Sequence, residues 1–461
     1  MKYWSNTAHK TKPQLLALTL LLAAAFGSLS FAEDNPITPK ESFRDIPTPP
    51  EFHVEATLID GPVFANNNGK TLYKWSQHKL RNGYSGEAAG TPQCYDNVLT
   101  VTAGLMSPYP AGIKLPELDS RVSCTDLWPP VLAGDNADPV GDWTIVERLD
   151  GSKQWAFDEH PLYTSVRDRS PGDVLGGTTR RFGGDSPAKR TPIGPPTLLP
   201  PGFAVRSTFI GRLLATDKNN SVYSFDQDTG TSTACTNECL SKWQPVLAPG
   251  LARAQGEWSI LERSPGVKQW AFRDKPLYTY VLDQRSWGLR GTDVPGWKNV
   301  FTQVAPALPD SFTTQATIQG NVLADANGKT IYIYNCGEDS IDQLSCNHPE
   351  TTQVYRLAMC GAGDQEKCLT HWPYVQAQVN EKAPSESLWA IVSIDPKTGR
   401  FASPGQADAL RVWAYRDRPV YLYGDDKLSG DVHGGGIGEW RGQRNGLRAI
   451  WLRDDYMSGI L

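Results

Sequence analysis

Apolar residues in this chain come in short runs that alternate with polar positions and are broken by Gly, Pro, Asn and Asp. Three successive examples are Trp258-Ser-Ile-Leu-Glu-Arg263, Lys268-Gln-Trp-Ala-Phe272 and Pro276-Leu-Tyr-Thr-Tyr280. Period-two alternation rich in β-branched and aromatic residues predicts strands of one small sheet. Hairpins are predicted where such runs flank turn residues: Val54 to Ile59 and Thr71 to Trp75 about Asn66-Asn-Asn-Gly69, Leu213 to Ala215 and Val222 to Phe225 about Asn219-Asn220, and Val322 to Ala324 and Thr330 to Tyr334 about Asn327-Gly328. Asn and Gly tolerate the positive φ that tight hairpin turns require. In the recurring Tyr-x-aromatic runs the two rings stand two residues apart, so on a strand they share a face. A Cys-x3-Trp segment instead places its ends at i and i+4, which predicts a short helix.

These pieces recur as a block. Cys124 and Trp128, Cys239 and Trp243, and Cys368 and Trp372 are followed by Trp143, Trp258 and Trp389. Then come Trp155, Trp270 and Trp413, each eight residues before Tyr163, Tyr278 and Tyr421. Three copies of one spacing define a tandem array of a single module. The copies differ mainly by insertion before the Cys: Tyr73 to Trp128 spans 55 residues, Tyr223 to Trp243 spans 20, and Tyr332 to Trp372 spans 40. Insertions confined to one place mark a loop, where a scaffold often carries its individual function.

Each module also holds two copies of Tyr-x-(Phe/Trp/Tyr)-x-x-Asp. Intact copies are Tyr223-Ser-Phe225-Asp-Gln-Asp228, Tyr278-Thr-Tyr280-Val-Leu-Asp283 and Tyr421-Leu-Tyr423-Gly-Asp-Asp426. On these residues the chain resembles the bacterial secreted repeat of unknown function, also described as lipoproteins with the Yx(FWY)xxD motif. Three copies depart from it: His78 and Gly337 stand where Asp belongs, and Ser165 replaces the second aromatic. The resemblance implies an exported protein and brings no activity with it.

Lys2, Lys10 and Lys12 precede a run from Leu15 to Phe26 that is apolar except for Thr19, and Ser30-Phe31-Ala32 offers a cleavage site. Residues 1–32 are therefore expected to be a signal peptide cleaved after Ala32. No Cys stands near that point, so no lipid anchor is expected, nor any membrane span in the mature chain. Those residues hold three Lys and no acid, leaving 42 basic against 50 acidic side chains, net −8. An acidic surface argues against nucleic acid as a partner. With 42 Gly and 35 Pro, the composition favours turn-rich β structure. The expected order is a Pro-rich arm at 33–50, module one at 51–173, a Pro/Gly connector at 174–201, module two at 202–302, a joint at 303–310 and module three at 311–461. The fold class is thus β-rich with short helices: three tandem small-sheet modules, each expected to fold semi-independently.

The eight Cys divide two, two and four among the modules, and in an exported chain even numbers imply disulfides. Aligning the repeats pairs Cys94 with Cys124, Cys235 with Cys239 and Cys360 with Cys368, leaving Cys336 with Cys346. Cys-x2-Cys and Cys-x-x-Cys-His spacings do not occur, so neither metal nor other cofactor is expected. The Trp residues shared by all modules are expected in cores, and the unshared Trp75, Trp287, Trp297, Trp440 and Trp451 as exposed rings. The motif acids Asp168, Asp228, Asp283 and Asp426 are expected to cap turns. Asp173 and Asp431 each follow a motif Asp by five residues, within Gly-containing loops. With His433 and Trp440 they form the candidate binding group, and no catalytic residue is assigned. The expected role is an exported, non-catalytic binding or scaffold protein, periplasmic or secreted, for an envelope protein or polymer. An accessory to periplasmic redox chemistry, acting with a haem protein or metal partner, is the first alternative; an enzyme on envelope or extracellular polymer is the second.

Overall fold

The computed structural model describes residues 41–80, 83–96, 123–176, 190–283, 287–317, 320–335, 349, 353–434 and 446–454. The expected leader, the first part of the arm, much of the 174–201 connector, Cys336, Cys346 and Trp440 lie outside them. The described chain is mainly β, in small antiparallel sheets with a few short helices.

Each module opens with a hairpin: Phe52–Glu55 with Val63–Asn66, Phe203–Thr208 with Gly211–Thr216, and Phe312–Thr317 with Gly320–Asp325. In module one the first strand therefore turns at residues 56–62, and Asn66 to Gly69 joins the second strand to the motif strand. Val54 to Ile59 and Thr71 to Trp75, expected as hairpin partners, are therefore not paired with each other. The actual first turn is built on Gly61, whose φ is +80°. The Asn-Gly turns themselves form as expected. Gly69 and Gly328 sit at φ +73° and +77°, and Asn66 Oδ1 accepts the backbone N–H groups of Asn68 and Lys70.

The motif strands form the middle of the main sheet. In module one the order is Trp143–Glu147, Lys153–Phe157, His160–Tyr163, Tyr73–Lys74, Thr191–Pro192, and module three repeats it with Trp389–Ile394, Leu410–Tyr415, Arg418–Tyr421, Tyr332–Asn335, Gly446–Ala449. Module two keeps the same neighbours but divides them between two sheets, at Lys275–Pro276 and Tyr278–Tyr280. Alternation along the motif strands sends successive residues to opposite faces. Leu72 and Leu162 join Trp143 and Trp155 in one core, while Tyr73 and Tyr163 join Trp128 and the Cys94–Cys124 disulfide in the other. Val222 and Leu277 against Tyr223 and Tyr278 divide in the same way in module two.

The shared Trp residues are buried as expected; Trp128, Trp243 and Trp372 are 1%, 3% and 2% exposed. Short helices carry two of the Cys-x3-Trp segments, Cys124–Leu127 and Gln365–His371, and a 3-10 turn at Asn237–Ser241 carries the third. Disulfides link Cys94 to Cys124, Cys235 to Cys239 and Cys360 to Cys368.

Buried contacts join the repeats. Arg416, in a tight turn of the third repeat, donates to Asp60 of the first at 2.6 Å, and both side chains are 2% exposed. Gln303 Nε2 donates to Thr57 O at 2.5 Å, and its Oε1 accepts from Gly61 N at 3.1 Å. Glu41 accepts from Arg212, Thr197 and Thr302. Phe209, at a hairpin tip of the second repeat, packs in a core of the third against Tyr415. Among the described residues no helix is long and apolar enough to cross a membrane.

Candidate functional site: the paired motifs

The two motif strands of a module run antiparallel and place their tyrosines directly opposite: Tyr73 with Tyr163, Tyr223 with Tyr278, Tyr332 with Tyr421. Where the facing copy keeps its acid, the hydroxyl reaches it. Tyr223 donates to Asp283 and Tyr278 to Asp228, both at 2.6 Å. Tyr73 meets Asp168 at 2.8 Å, and Tyr332 meets Asp426 at 2.6 Å. In module two the motif is therefore a reciprocal clamp between its own two copies, and modules one and three each keep one half of it.

The second oxygen of each acid closes a turn. Asp168 Oδ1 accepts from Leu175 N, Asp283 Oδ1 from Arg290 N and Asp426 Oδ1 from His433 N, in each case seven residues on. Asp228 does the same for Ala234 N at 2.7 Å. A lysine caps the acid's own carbonyl in three places: Lys70 at Asp168, Lys275 at Asp228 and Lys329 at Asp426. The expected turn-capping role is thus one half of what these acids do, and the cross-motif bond is the other.

Burial sets the electrostatics. Desolvation raises the Asp168 carboxyl to about 7 and pushes Tyr73, Tyr223 and Tyr332 well above the ordinary phenol range, with the facing carboxylate adding to the effect. Where His78 has displaced the first Asp of module one, Glu87 takes its place: Tyr163 donates to Glu87 Oε1 at 2.8 Å. Glu87 lies outside the motif spacing, and no local pattern announces it. Its carboxyl is raised by burial, an effect that the charge of Arg190 opposes.

Arg190 itself fills a slot that recurs in the three modules. Phe225 pairs with Trp297, and Tyr334 with Leu447. Extending the Lys74–Thr191 pairing by one residue sets Arg190 beside Trp75 in the same way. In module two the Trp297 ring stacks on Trp243 at 3.6 Å and on Phe225 at 4.6 Å. In module one the Arg190 guanidinium lies 4.6 Å from the Trp128 ring and 4.4 Å from the Trp75 ring. Burial lowers this guanidinium to about 10, and its Nε and Nη1 have no hydrogen-bond partner among the described residues.

That slot corrects the expectation of exposed rings. Trp75 and Trp297 are each 5% exposed and Trp451 is 9%. Trp75 and Trp297 are private to one module by residue type but occupy packing positions that every module fills, and Trp451 packs in a core of the third repeat. Trp287 is partly buried with Arg206 over its ring at 5.5 Å.

The structure places Asp173 and Asp431 at equivalent turns. Asp173 Oδ2 accepts from Arg169 N and Ser170 N, and Asp431 Oδ2 from Lys427 N and Leu428 N. Hydrogen bonds from the Leu428 and Lys427 amides hold the Asp431 carboxyl below its usual range. His433 is exposed, with Nδ1 at 3.2 Å from Asp426 and 3.9 Å from Asp431. Asp431 and His433 are thus brought together, whereas Asp173 serves its own module.

A second shared feature went unread in the sequence. Arg148 and Arg263, each five residues after a shared Trp, donate to Gln154 and Gln269 and to the carbonyls of Cys94 and Cys235. The arginine thereby ties the disulfide to the sheet. Its repeated spacing was the available signal.

Residues 144–184 and 205–247 match the family model described as a secreted repeat of unknown function. The chain carries this repeat. Both matched segments include strands of the modules described above, and residues 144–184 include Tyr163 and Asp168 of one clamp. No curated protein and no solved structure matches the chain.

Proposed function

We propose that the chain is an exported, non-catalytic binding or scaffold protein of the bacterial envelope, released by cleavage after Ala32. The observation that carries this reading is where the motif chemistry goes. Tyr73, Tyr223, Tyr278 and Tyr332 and their acids point at one another inside the modules, and their free oxygens close turns. Groups committed in this way hold shape rather than turn over a substrate. The same architecture then presents module-specific insertions of different length from one position, a plan suited to an extended or multipart partner.

The test combines two measurements on protein recovered after export. Intact mass should correspond to a chain beginning at Glu33 with no acyl group. Immobilised protein should retain a defined envelope protein or polymer, and shortening the insertion within residues 97–122, which leaves Glu87 and Cys94 in place, should reduce retention without altering the melting temperature. Chemical turnover of an added envelope polymer, abolished by an acid-to-amide substitution, would replace this reading with an enzymatic one.

A further inference from the structure

The three disulfides among the described residues sit in different surroundings, and one of them is set up for chemistry. Cys94 and Cys124 are 1% and 2% exposed, so no thiolate can approach them in the folded chain. Cys239 is partly exposed, but Arg263 beside that bridge donates to the Cys235 carbonyl, not to sulfur. In the third repeat both requirements meet. Cys360 is partly exposed, Cys368 is buried, and Arg356 Nη1 lies 3.0 Å from Cys368 Sγ and 3.9 Å from Cys360 Sγ.

Arg356 is itself fully buried, and its other hydrogen bonds go to neutral oxygens: Gln353 Oε1 at 3.1 Å and Gln365 Oε1 at 2.5 Å. Gln365 is held in turn by the Tyr374 hydroxyl. A side chain at Gly399 would come within 2.5 Å of Arg356 Nη2, so the guanidinium is fenced in place. Among the described residues no carboxylate pairs with it. A buried cation without an anion is costly, and a disulfide sulfur is a poor acceptor. A thiolate on Cys368 would supply the missing charge at the same distance.

We infer that Cys360–Cys368 is a thiol–disulfide exchange site whose reductant is a dithiol. The attacking thiolate bonds to Cys360 Sγ and the Cys360–Cys368 bond breaks, its electron pair leaving on Cys368 beside Arg356. The second thiol of the reductant, deprotonated, attacks the mixed disulfide and releases Cys360, which takes a proton. The dithiol ends as a disulfide. Of its two protons one resides on Cys360 and one passes to solvent, Cys368 remaining a thiolate. Stabilising the reduced form in this way makes a disulfide more oxidising. The inference stands independently of the scaffold reading.

The full-length oxidised protein is equilibrated with mixtures of reduced and oxidised dithiothreitol, and each bridge is quantified by differential alkylation and peptide mass spectrometry. Cys360–Cys368 should open at a lower reductant ratio than Cys94–Cys124 and Cys235–Cys239, with the chain still folded. Arg356→Gln should shift that equilibrium roughly ten- to a hundredfold toward the disulfide, the scale of a lost charged hydrogen bond, and Arg356→Lys should restore part of it. If Arg356→Gln fails to fold, the reduced wild-type chain decides: Cys368 should ionise below the ordinary thiol value of about 8.5. Opening only on unfolding, an unchanged equilibrium in Arg356→Gln, or a Cys368 that ionises at or above that value would each overturn the inference.

Discussion

Tyr223, itself buried, gives its hydroxyl to the partly buried Asp283. Tyr223→Phe keeps the ring against Trp243 and removes the hydroxyl's contacts with Asp283 and the Gly288 carbonyl. It should cost about 1.5–3 kcal/mol in urea unfolding, the range for hydrogen bonds to charged groups. Asp168 adds a pH dependence. Its folded-state value of about 7 lies above that of an unfolded aspartate, so the folded chain holds the proton more tightly. Its contribution is fully present below about pH 4 and is lost as pH rises through about 7. Unfolding free energies measured at pH 5 and pH 8 should therefore show the wild type losing stability across that interval relative to Asp168→Asn. A parallel course for the two chains would refute burial as the cause.

At the scale of the element, one slot in the sheet accepts three different residues. Trp297 and Leu447 fill it with apolar surface, and Arg190 fills it with a stacked cation near Glu87. Arg190→Leu alone removes the charge that opposes the burial of the Glu87 carboxylate and should destabilise by about 1–3 kcal/mol, the cost of a buried polar group left uncompensated. Combining it with Glu87→Gln should recover most of that loss in chemical denaturation, since Gln can still accept from Tyr163. The slot also shows where sequence reading stops. Strands, Asn-Gly turns, the Cys-x3-Trp turns and three cystine pairs were legible, because local period and repeat alignment encode them. Trp75 and Trp297 were misread as surface rings because their equivalents, Phe225 and Arg190, differ in type and stand at different distances across insertions of unequal length. Glu87 was invisible for the same reason: it reaches Tyr163 across 76 residues, and nothing local marks the meeting.

At the scale of the whole molecule, the semi-independence expected of tandem modules meets buried joints between them. Asp60 and Arg416 form an ion pair with both side chains 2% exposed, and Arg416 also donates to Val174 O at 3.0 Å. Desolvation opposes the charge of Arg416, yet the facing Asp60 raises it above the ordinary guanidinium value. Asp60→Ala leaves that cation buried and unpaired and should cost about 3–5 kcal/mol. Phe209 makes the second joint by entering the third repeat's core, so the second and third repeats share apolar surface as well. The full chain should accordingly unfold in one cooperative calorimetric transition rather than three. A chain ending at Pro309 should melt at a lower temperature than the whole, because it buries Asp60 without its cation and bares Phe209 to water. Three resolved transitions in the full chain, or an unchanged melting temperature in the shortened one, would return the architecture to independent beads whose observed contacts carry little energy.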